Sequence, residues 1–111
     1  MVGPRVAVVG AGANGASIGA DLHRAGVDVT LVEQWPVHVE TIRAQGLRIV
    51  TPDDELHVHP RVIHLCEVAE LRSGFDVVLL VMKAYDAGWA SRMIAPYLAP
   101  DGVMAAVQNG M

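Results

Sequence analysis

Short apolar runs separated by polar segments divide the chain into candidate strands. Arg5–Gly10, Val27–Val32 and Phe75–Met82 are rich in Val and Leu and carry few polar residues. Aliphatic, β-branched runs of this length are typical of strands that are buried on both faces, as in a parallel sheet. The pattern therefore predicts a sheet whose strands are mainly parallel.

Helices are predicted between these strands, at Ala13–Ala25, Val37–Gln45 and Asp86–Leu98. Gly26 is suited to end the first of them. One face of that helix carries apolar or small residues at three- and four-residue spacing, namely Gly15, Ile18, Gly19 and Leu22. The remaining segments are assigned from apolar content and turn signals: a hairpin or two short strands at Leu47–Thr51 and Leu56–Val58, a strand at Val62–Leu65, a helical turn at Glu67–Arg72, a turn at Pro100-Asp101-Gly102 and a last strand at Val103–Val107. This alternation predicts an α/β fold with helices on both faces of the sheet.

Composition narrows the class of protein. The 111 residues are 52% hydrophobic with a formal net charge of −4, and no two of the eight Lys and Arg residues are adjacent. A nucleic-acid surface needs clustered cations, so nucleic acid is not an expected partner. No apolar run is long enough to cross a bilayer, and a single cysteine cannot form an internal disulfide. These features predict one soluble, cytoplasmic domain over residues 1–111, without membrane association.

Three glycines follow the first predicted strand, in the stretch VVGAGANGAS. Gly10, Gly12 and Gly15 form a G-x-G-x-x-G motif, in which we expect the first to turn the chain, the second to let a pyrophosphate approach and the third to bring helix and strand together. The N-terminus of the helix would offer free N–H groups to the phosphates. The motif predicts a Rossmann-type cofactor-binding loop that includes Ala11 and Ala13; the alternative is a glycine-rich turn without a ligand.

Glu33 lies at the end of the second predicted strand. A carboxylate there can accept hydrogen bonds from the adenosine ribose diol, and it would repel a 2′-phosphate. The next cation along the chain is Arg43. NAD(H) is therefore the favoured cofactor and NADP(H) the second choice, the alternative being an exposed acid at a strand end without a ligand.

Two polar residues follow later strands, at the carboxyl ends where open α/β sheets bind ligands. Lys83 comes after Phe75–Met82, and Asn109 comes after Val103–Val107. From position alone, Lys83 could equally be a solvated charge that pairs with Asp86, and the Asn-Gly pair could be a simple turn.

Four segments, in this order, resemble the N-terminal domain of ketopantoate reductases (2-dehydropantoate 2-reductases): VAVVGAGANGASIGADLHRAG, HVETIRAQGLRI, FDVVLLVMKAYD and VMAAVQNGM. The resemblance covers nearly the whole chain, and the Lys and the QNG at this spacing are its most specific features. It implies hydride transfer from a reduced nicotinamide cofactor to the ketone of a 2-oxo acid; ketopantoate would give pantoate, on the route to pantothenate and coenzyme A. It also implies that Lys83 and Asn109 lie at the nicotinamide end of the cofactor, beside the substrate, and that Asn14 lies in the phosphate loop.

The chain departs from the family pattern at two points. Many members use NADPH and carry an Arg near the position where this chain has Glu33, so the usual cofactor of the family is in question here. Relatives that prefer NAD(H) could act on other 2-oxo or 2-hydroxy acids, so the substrate also stays open. Members also continue past the QNG into a helical domain that supplies a general-acid Lys and a substrate-binding carboxylate, whereas this sequence ends at Met111. We therefore expect a truncated part of a longer reductase that lacks the catalytic domain, is inactive alone and could form a homo-oligomer through its open face.

The alternative function is a regulatory NAD(H)-sensing Rossmann module without catalysis. The segments MKAYD and VQNG argue against it.

Two further groups of residues have competing interpretations. His57, His59 and His64 could suggest a metal site, but their spacing matches no familiar zinc pattern, so surface or hairpin histidines without a metal are expected. Trp35 and Trp89 could border a cofactor cleft or pack against the core, and packing is the favoured interpretation.

Overall fold

The computed structural model describes residues 3–72 and 74–107. In chain order, the strands are β1 (Arg5–Val9), β2 (Asp28–Glu33), β3 (Leu47–Thr51), β4 (Asp54–Val58), β5 (Arg61–His64), β6 (Phe75–Leu80) and β7 (Leu98–Ala106). The helices are α1 (Ala13–Arg24), α2 (Pro36–Gln45) and α3 (Ala84–Ile94), with short 3-10 helices at Leu65–Glu70 and Ala95–Tyr97. Among the described residues, no helix has the length and apolar character needed to cross a bilayer.

Five strands form the main sheet in the order β5-β2-β1-β6-β7, and every neighbouring pair is parallel. β3 and β4 form a separate antiparallel hairpin. The chain builds outward from β1 to β2 and β5, then returns to place β6 on the other side of β1. The strand order therefore reverses between β1 and β6, and open α/β sheets bind ligands at the carboxyl ends of the strands beside such a reversal.

Helices cover both faces of the sheet. Alternate side chains of β1 point to opposite faces, so Val6 and Val8 join one core cluster while Ala7 and Val9 join the other. The first cluster includes residues of α1 and α2, and the second includes Ala90 and Ile94 of α3. This arrangement confirms the predicted α/β fold with a parallel sheet.

Helix α1 packs against the sheet through its smallest residues. Its buried positions are Gly15, Ala16, Gly19 and Ala20, whereas Ile18 and Leu22 are only partly buried at the side of the core. The buried face is thus rotated from the predicted one towards the alanines. A Cβ atom at Gly19 would lie 2.5 Å from Leu31 Cδ2, so any side chain at this position would require the buried Leu31 to move.

In the C-terminal half, two predicted helical segments are present with shifted boundaries, and one predicted turn is wrong. The helix expected at Asp86–Leu98 begins at Ala84 and ends at Ile94, before the 3-10 turn that contains Pro96. The expected helical turn at Glu67–Arg72 is a 3-10 helix at Leu65–Glu70. The expected turn at Pro100-Asp101-Gly102 lies inside β7, where the register with β6 shifts between Phe75 and Val77. β7 is an edge strand in the described sheet, and edge strands with irregular pairing tolerate proline.

Candidate functional site

A cleft of about 350 Å³ opens at the carboxyl ends of β1, β2 and β6. Two backbone hydrogen bonds hold these strand ends together, from Gly10 N to Val32 O at 2.8 Å and from Val81 N to Val9 O at 2.9 Å. The cleft therefore lies at the reversal of strand order, and its volume is within the range of small-molecule sites. Its lining includes Gly10, Gly12, Gln34, Trp35, Leu65 and Met82.

The glycine loop joins β1 to α1 at the floor of this cleft. Gly10 has a φ of 104°, and a Cβ atom there would overlap the Val81 carbonyl oxygen, so the expected sharp turn is present. A Cβ atom at Gly15 would overlap the Gly10 carbonyl oxygen, while nothing lies within 4 Å of the corresponding position at Gly12. The loop therefore packs tightly at both ends and leaves open space in front of Gly12.

Helix α1 presents its N-terminus beside this open space. Gly12 is the N-cap residue and has no side chain that could cap the helix, so the first N–H groups lack the usual side-chain acceptor. Ala13 and Asn14 are exposed in the first turn. This arrangement, with N–H groups and the positive end of the helix dipole, favours an anion such as a phosphate.

The Glu33 side chain is buried against the glycine loop rather than exposed at the strand end. Only 4% of Glu33 is accessible to solvent, and its Oε1 accepts a hydrogen bond from Ala11 N at 2.6 Å. Its Oε2 accepts a second bond from Trp35 N at 3.1 Å. The exposure that the alternative assumed for this acid is therefore wrong. Since each carboxylate oxygen has two lone pairs, each keeps one acceptor position beyond these bonds.

His38 is a site residue that the sequence analysis did not identify. It lies in the first turn of α2, lines the cleft, and its Nε2 is 2.6 Å from the Ala11 carbonyl oxygen. Ala11 is thus held from two sides, through its N–H by Glu33 and through its carbonyl by His38. One signal was available: a helix that starts directly after a strand of a parallel sheet places its first turn at the ligand-binding edge.

Lys83 lies at the N-cap of α3, exposed on the cleft. The alternative pairing with Asp86 is not found among the described ion pairs, and the Asp86 carboxylate instead accepts a hydrogen bond from Trp89 Nε1 at 2.8 Å. Lys83 thus forms no ion pair with another described residue at the end of β6. Asn109 lies outside the described residues.

Both tryptophans line the cleft. Trp35 is 64% exposed at the β2 side of the cleft, so the expectation that it packs in the core is wrong. Trp89 is half-buried and packs against the core cluster of α3 while its indole N–H reaches Asp86. The cleft therefore has an aromatic side chain both at the end of β2 and along α3.

His57, His59 and His64 are not among the described residues that line the cleft. His57 Nε2 is 2.7 Å from the Gln45 carbonyl oxygen, and its ring centroid is 5.0 Å from that of His59. His64 Nε2 contacts the Glu40 carboxylate. These side chains bind backbone or neighbouring groups at the hairpin and at α2, in keeping with surface or hairpin histidines.

Comparison with known proteins places this geometry in a family. The family model described as "Ketopantoate reductase PanE/ApbA" matches residues 6–111. The chain belongs to this family. It is 32% identical over 107 residues to 2-dehydropantoate 2-reductase of Lactococcus lactis subsp. lactis (strain IL1403), an alignment that covers 96% of this chain and 34% of that protein.

Solved structures of similar proteins share the fold. A PanE/ApbA family ketopantoate reductase from Ralstonia eutropha JMP134 superposes with a TM-score of 0.82 at 35% identity, covering 96% of this chain and 34% of that one. D-mandelate dehydrogenase in a ternary structure with NADH and anilino(oxo)acetate gives a TM-score of 0.82 at 26% identity, again over 96% of this chain and 34% of that one. The chain spans about a third of the length of these relatives.

Proposed function

We propose that this chain is the dinucleotide-binding domain of an NAD(H)-linked reductase that acts on a 2-oxo acid. The observation that carries the proposal is the cleft at the strand reversal, where an uncapped helix N-terminus, the acid that ends β2 and a lysine after β6 meet. This lysine, Lys83, forms no ion pair with another residue in the part of the chain that the structure describes. The family relation supports the same reaction class, since relatives are named 2-dehydropantoate 2-reductase, and D-mandelate dehydrogenase is seen with NADH and anilino(oxo)acetate.

The cleft suggests how the cofactor would lie. The pyrophosphate fits the space in front of Gly12, where the dipole of α1 favours negative charge. The adenosine ribose would lie towards Glu33 and the nicotinamide towards Lys83, because β2 and β6 flank β1 on opposite sides. When bound, the reduced cofactor supplies the hydride for the ketone carbon.

Lys83 is proposed to stabilise the nicotinamide end of the site and the anionic substrate beside it, together with Asn109. The test is a comparison of NADH with ADP-ribose, which lacks the nicotinamide ring. Lys83→Met and Asn109→Ala should each weaken NADH binding by about threefold to tenfold, the worth of one polar contact, and leave ADP-ribose binding unchanged. An equal loss for both ligands would remove these residues from the nicotinamide end.

The preference for NAD(H) over NADP(H) is proposed from charge. Lys83 is the one Lys or Arg among the described residues that line the cleft, and the ends of β6 and β2 are two strand spacings apart, roughly 10 Å. Arg43 is engaged by Glu40 and Glu67. A 2′-phosphate at the end of β2 would therefore meet the Glu33 carboxylate without a Lys or Arg side chain from the described residues beside it.

Calorimetric titration of the chain with NADH and, separately, with NADPH tests this preference. We expect NADH to bind about fivefold to thirtyfold more tightly, because a phosphate beside a carboxylate costs on the order of 1–2 kcal/mol near a protein surface. Replacing Glu33 itself would break its bonds to the loop, so the informative change is Gln34→Arg, which adds a cation on the cleft and keeps Glu33. It should improve NADPH binding by about tenfold.

Gln45→Arg is the matched control for this experiment. Gln45 lies at the C-terminal end of α2, outside the cleft, so the same substitution adds the same charge without reaching the cofactor. Tighter binding of NADPH by the unchanged chain would overturn the proposed preference. A folded chain that binds neither cofactor would overturn the proposed function itself.

A further inference from the structure

We propose that His38 is a positioning residue that fixes the glycine loop in the conformation that receives the dinucleotide phosphates. The inference rests on the proposed dinucleotide function of the cleft and extends it to a residue outside the glycine motif. His38 is separated from the loop by a whole helix and strand in sequence, yet its Nε2 lies 2.6 Å from the Ala11 carbonyl oxygen.

The contact requires a hydrogen on Nε2 of the imidazole. A carbonyl oxygen only accepts hydrogen bonds, so Nε2 of His38 must carry the hydrogen that lies between the two atoms. The histidine therefore acts as a donor to the loop. Its partner on the other side of Ala11 is the Glu33 carboxylate, which accepts from Ala11 N at 2.6 Å.

Holding the Ala11 carbonyl also fixes the next N–H group. The Ala11–Gly12 peptide is planar and trans, so the Gly12 N–H points opposite to the Ala11 carbonyl. Gly12 can rotate more freely than other residues because it has no side chain, and nothing packs within 4 Å of its Cβ position. The hydrogen bond from His38 therefore limits rotation of the Ala11–Gly12 peptide, beside a residue whose position is not restrained by side-chain packing. A loop that is ordered before binding loses less entropy when the phosphates arrive.

The chain provides a matched control in His57. Its Nε2 lies 2.7 Å from the Gln45 carbonyl oxygen, so it makes the same kind of side-chain to backbone contact in the same protein. It lies on β4, in the hairpin, and is not among the residues that line the cleft. If substitution of His38 lowers the cofactor affinity and substitution of His57 does not, the loss is due to the position of His38 beside the loop. It is then not a general effect of removing a histidine.

The experiment compares three variants by NADH titration and by urea unfolding. We expect His38→Leu to weaken NADH binding by about fivefold to tenfold, the worth of one hydrogen bond, while it remains folded. His38→Gln can place an N–H near the position of Nε2 and should recover most of that affinity. His57→Leu should bind NADH as the unchanged chain does.

Two outcomes overturn the inference while leaving the proposed function intact. In the first, the unchanged chain and His38→Leu bind NADH equally well. In the second, His38→Gln is as weak as His38→Leu, which would mean that the shape of the ring matters and the donor does not. If the unchanged chain does not bind NADH, the proposed function fails first and the inference fails with it.

A second measurement is independent of the cofactor and of the folding of any variant. Long-range ¹H–¹⁵N correlation spectra of the unchanged chain identify which imidazole nitrogen carries the hydrogen. We expect His38 as the tautomer with hydrogen on Nε2 at neutral pH. A neutral ring with its hydrogen on Nδ1 alone could not donate to Ala11, and that result would overturn the inference.

Discussion

At the scale of single residues, the glycine loop depends on close backbone contacts that leave no room for a side chain. The Gly15 position faces the Gly10 carbonyl oxygen, and a Cβ atom there would overlap it. Backbone cannot swing aside as a flexible side chain can, so the loop or the start of α1 would have to move. The same movement would displace the N–H groups that are proposed to receive the phosphates.

Gly15→Ala should therefore destabilise the chain by about 1–3 kcal/mol, even though alanine is the better helix former. It should also weaken NADH binding. The control is Gly88→Ala in α3, where a Cβ atom meets nothing within 4 Å and the higher helix propensity of alanine should stabilise the chain by up to about 1 kcal/mol. Urea unfolding of both variants measures the difference, and equal shifts of their midpoints would contradict the described packing of the loop.

The sequence predicted some residues of the site and missed the contacts of others. The motif located Gly10, Gly12 and Gly15, because their spacing follows local backbone requirements. It did not reveal that Glu33 is buried, nor that His38 reaches Ala11. Both depend on side-chain bonds between distant segments, for which neither composition nor periodicity provides a local signal.

At the scale of elements, a network of charged side chains ties α2 to the segment after β5. Glu67 in the 3-10 helix accepts a hydrogen bond from His64 N at 2.8 Å and pairs with Arg43 of α2. Arg43 also donates to the Val62 carbonyl at 3.1 Å. The backbone N–H of His64, followed by the Arg43 guanidinium, lowers the pKa of Glu67 below its usual value of 4.5.

This shift predicts a dependence of stability on pH. Because the folded protein lowers the pKa of Glu67, its ionised form stabilises the fold at pH values above the unfolded pKa, and this contribution is lost as the pH falls through the lower, folded pKa. Glu67→Gln removes the ionisation, so its urea midpoint should fall less than that of the unchanged chain between about pH 6 and about pH 3. If the urea midpoints of the two proteins fall equally, the network does not stabilise the ionised form of Glu67 in the folded protein.

Elements were predicted well where apolar runs decide the structure and poorly where pairing decides it. β1, β2 and β6 follow from segments that are mostly aliphatic, and the β3–β4 hairpin follows from its Pro-Asp turn. The full length of β7 could not be predicted in this way, since Pro100-Asp101-Gly102 carries strong turn signals and yet lies in a strand. There the Gly102 backbone lies so close to β6 that a Cβ atom would be 2.7 Å from the Phe75 carbonyl oxygen. Tertiary pairing overrides local propensity at this edge.

At the scale of the whole molecule, the order of strands creates the cleft. The reversal between β1 and β6 brings together loops that lie far apart in sequence: the glycine loop, the segment after β2 and the segment at Lys83. The family model matches residues 6–111, which include all three of these segments. Both tryptophans of the chain line the cleft, so tryptophan fluorescence reports directly on a molecule that binds there.

The central claim, that this cleft binds a reduced nicotinamide dinucleotide, is tested most directly by energy transfer from these tryptophans. The chain is titrated with NADH while tryptophan is excited and NADH emission is recorded, and circular dichroism establishes that the chain is folded. We predict emission that saturates with NADH and is reversed by excess ADP-ribose, which competes for the loop and the ribose site. A folded chain whose NADH emission neither saturates nor responds to ADP-ribose would contradict the account.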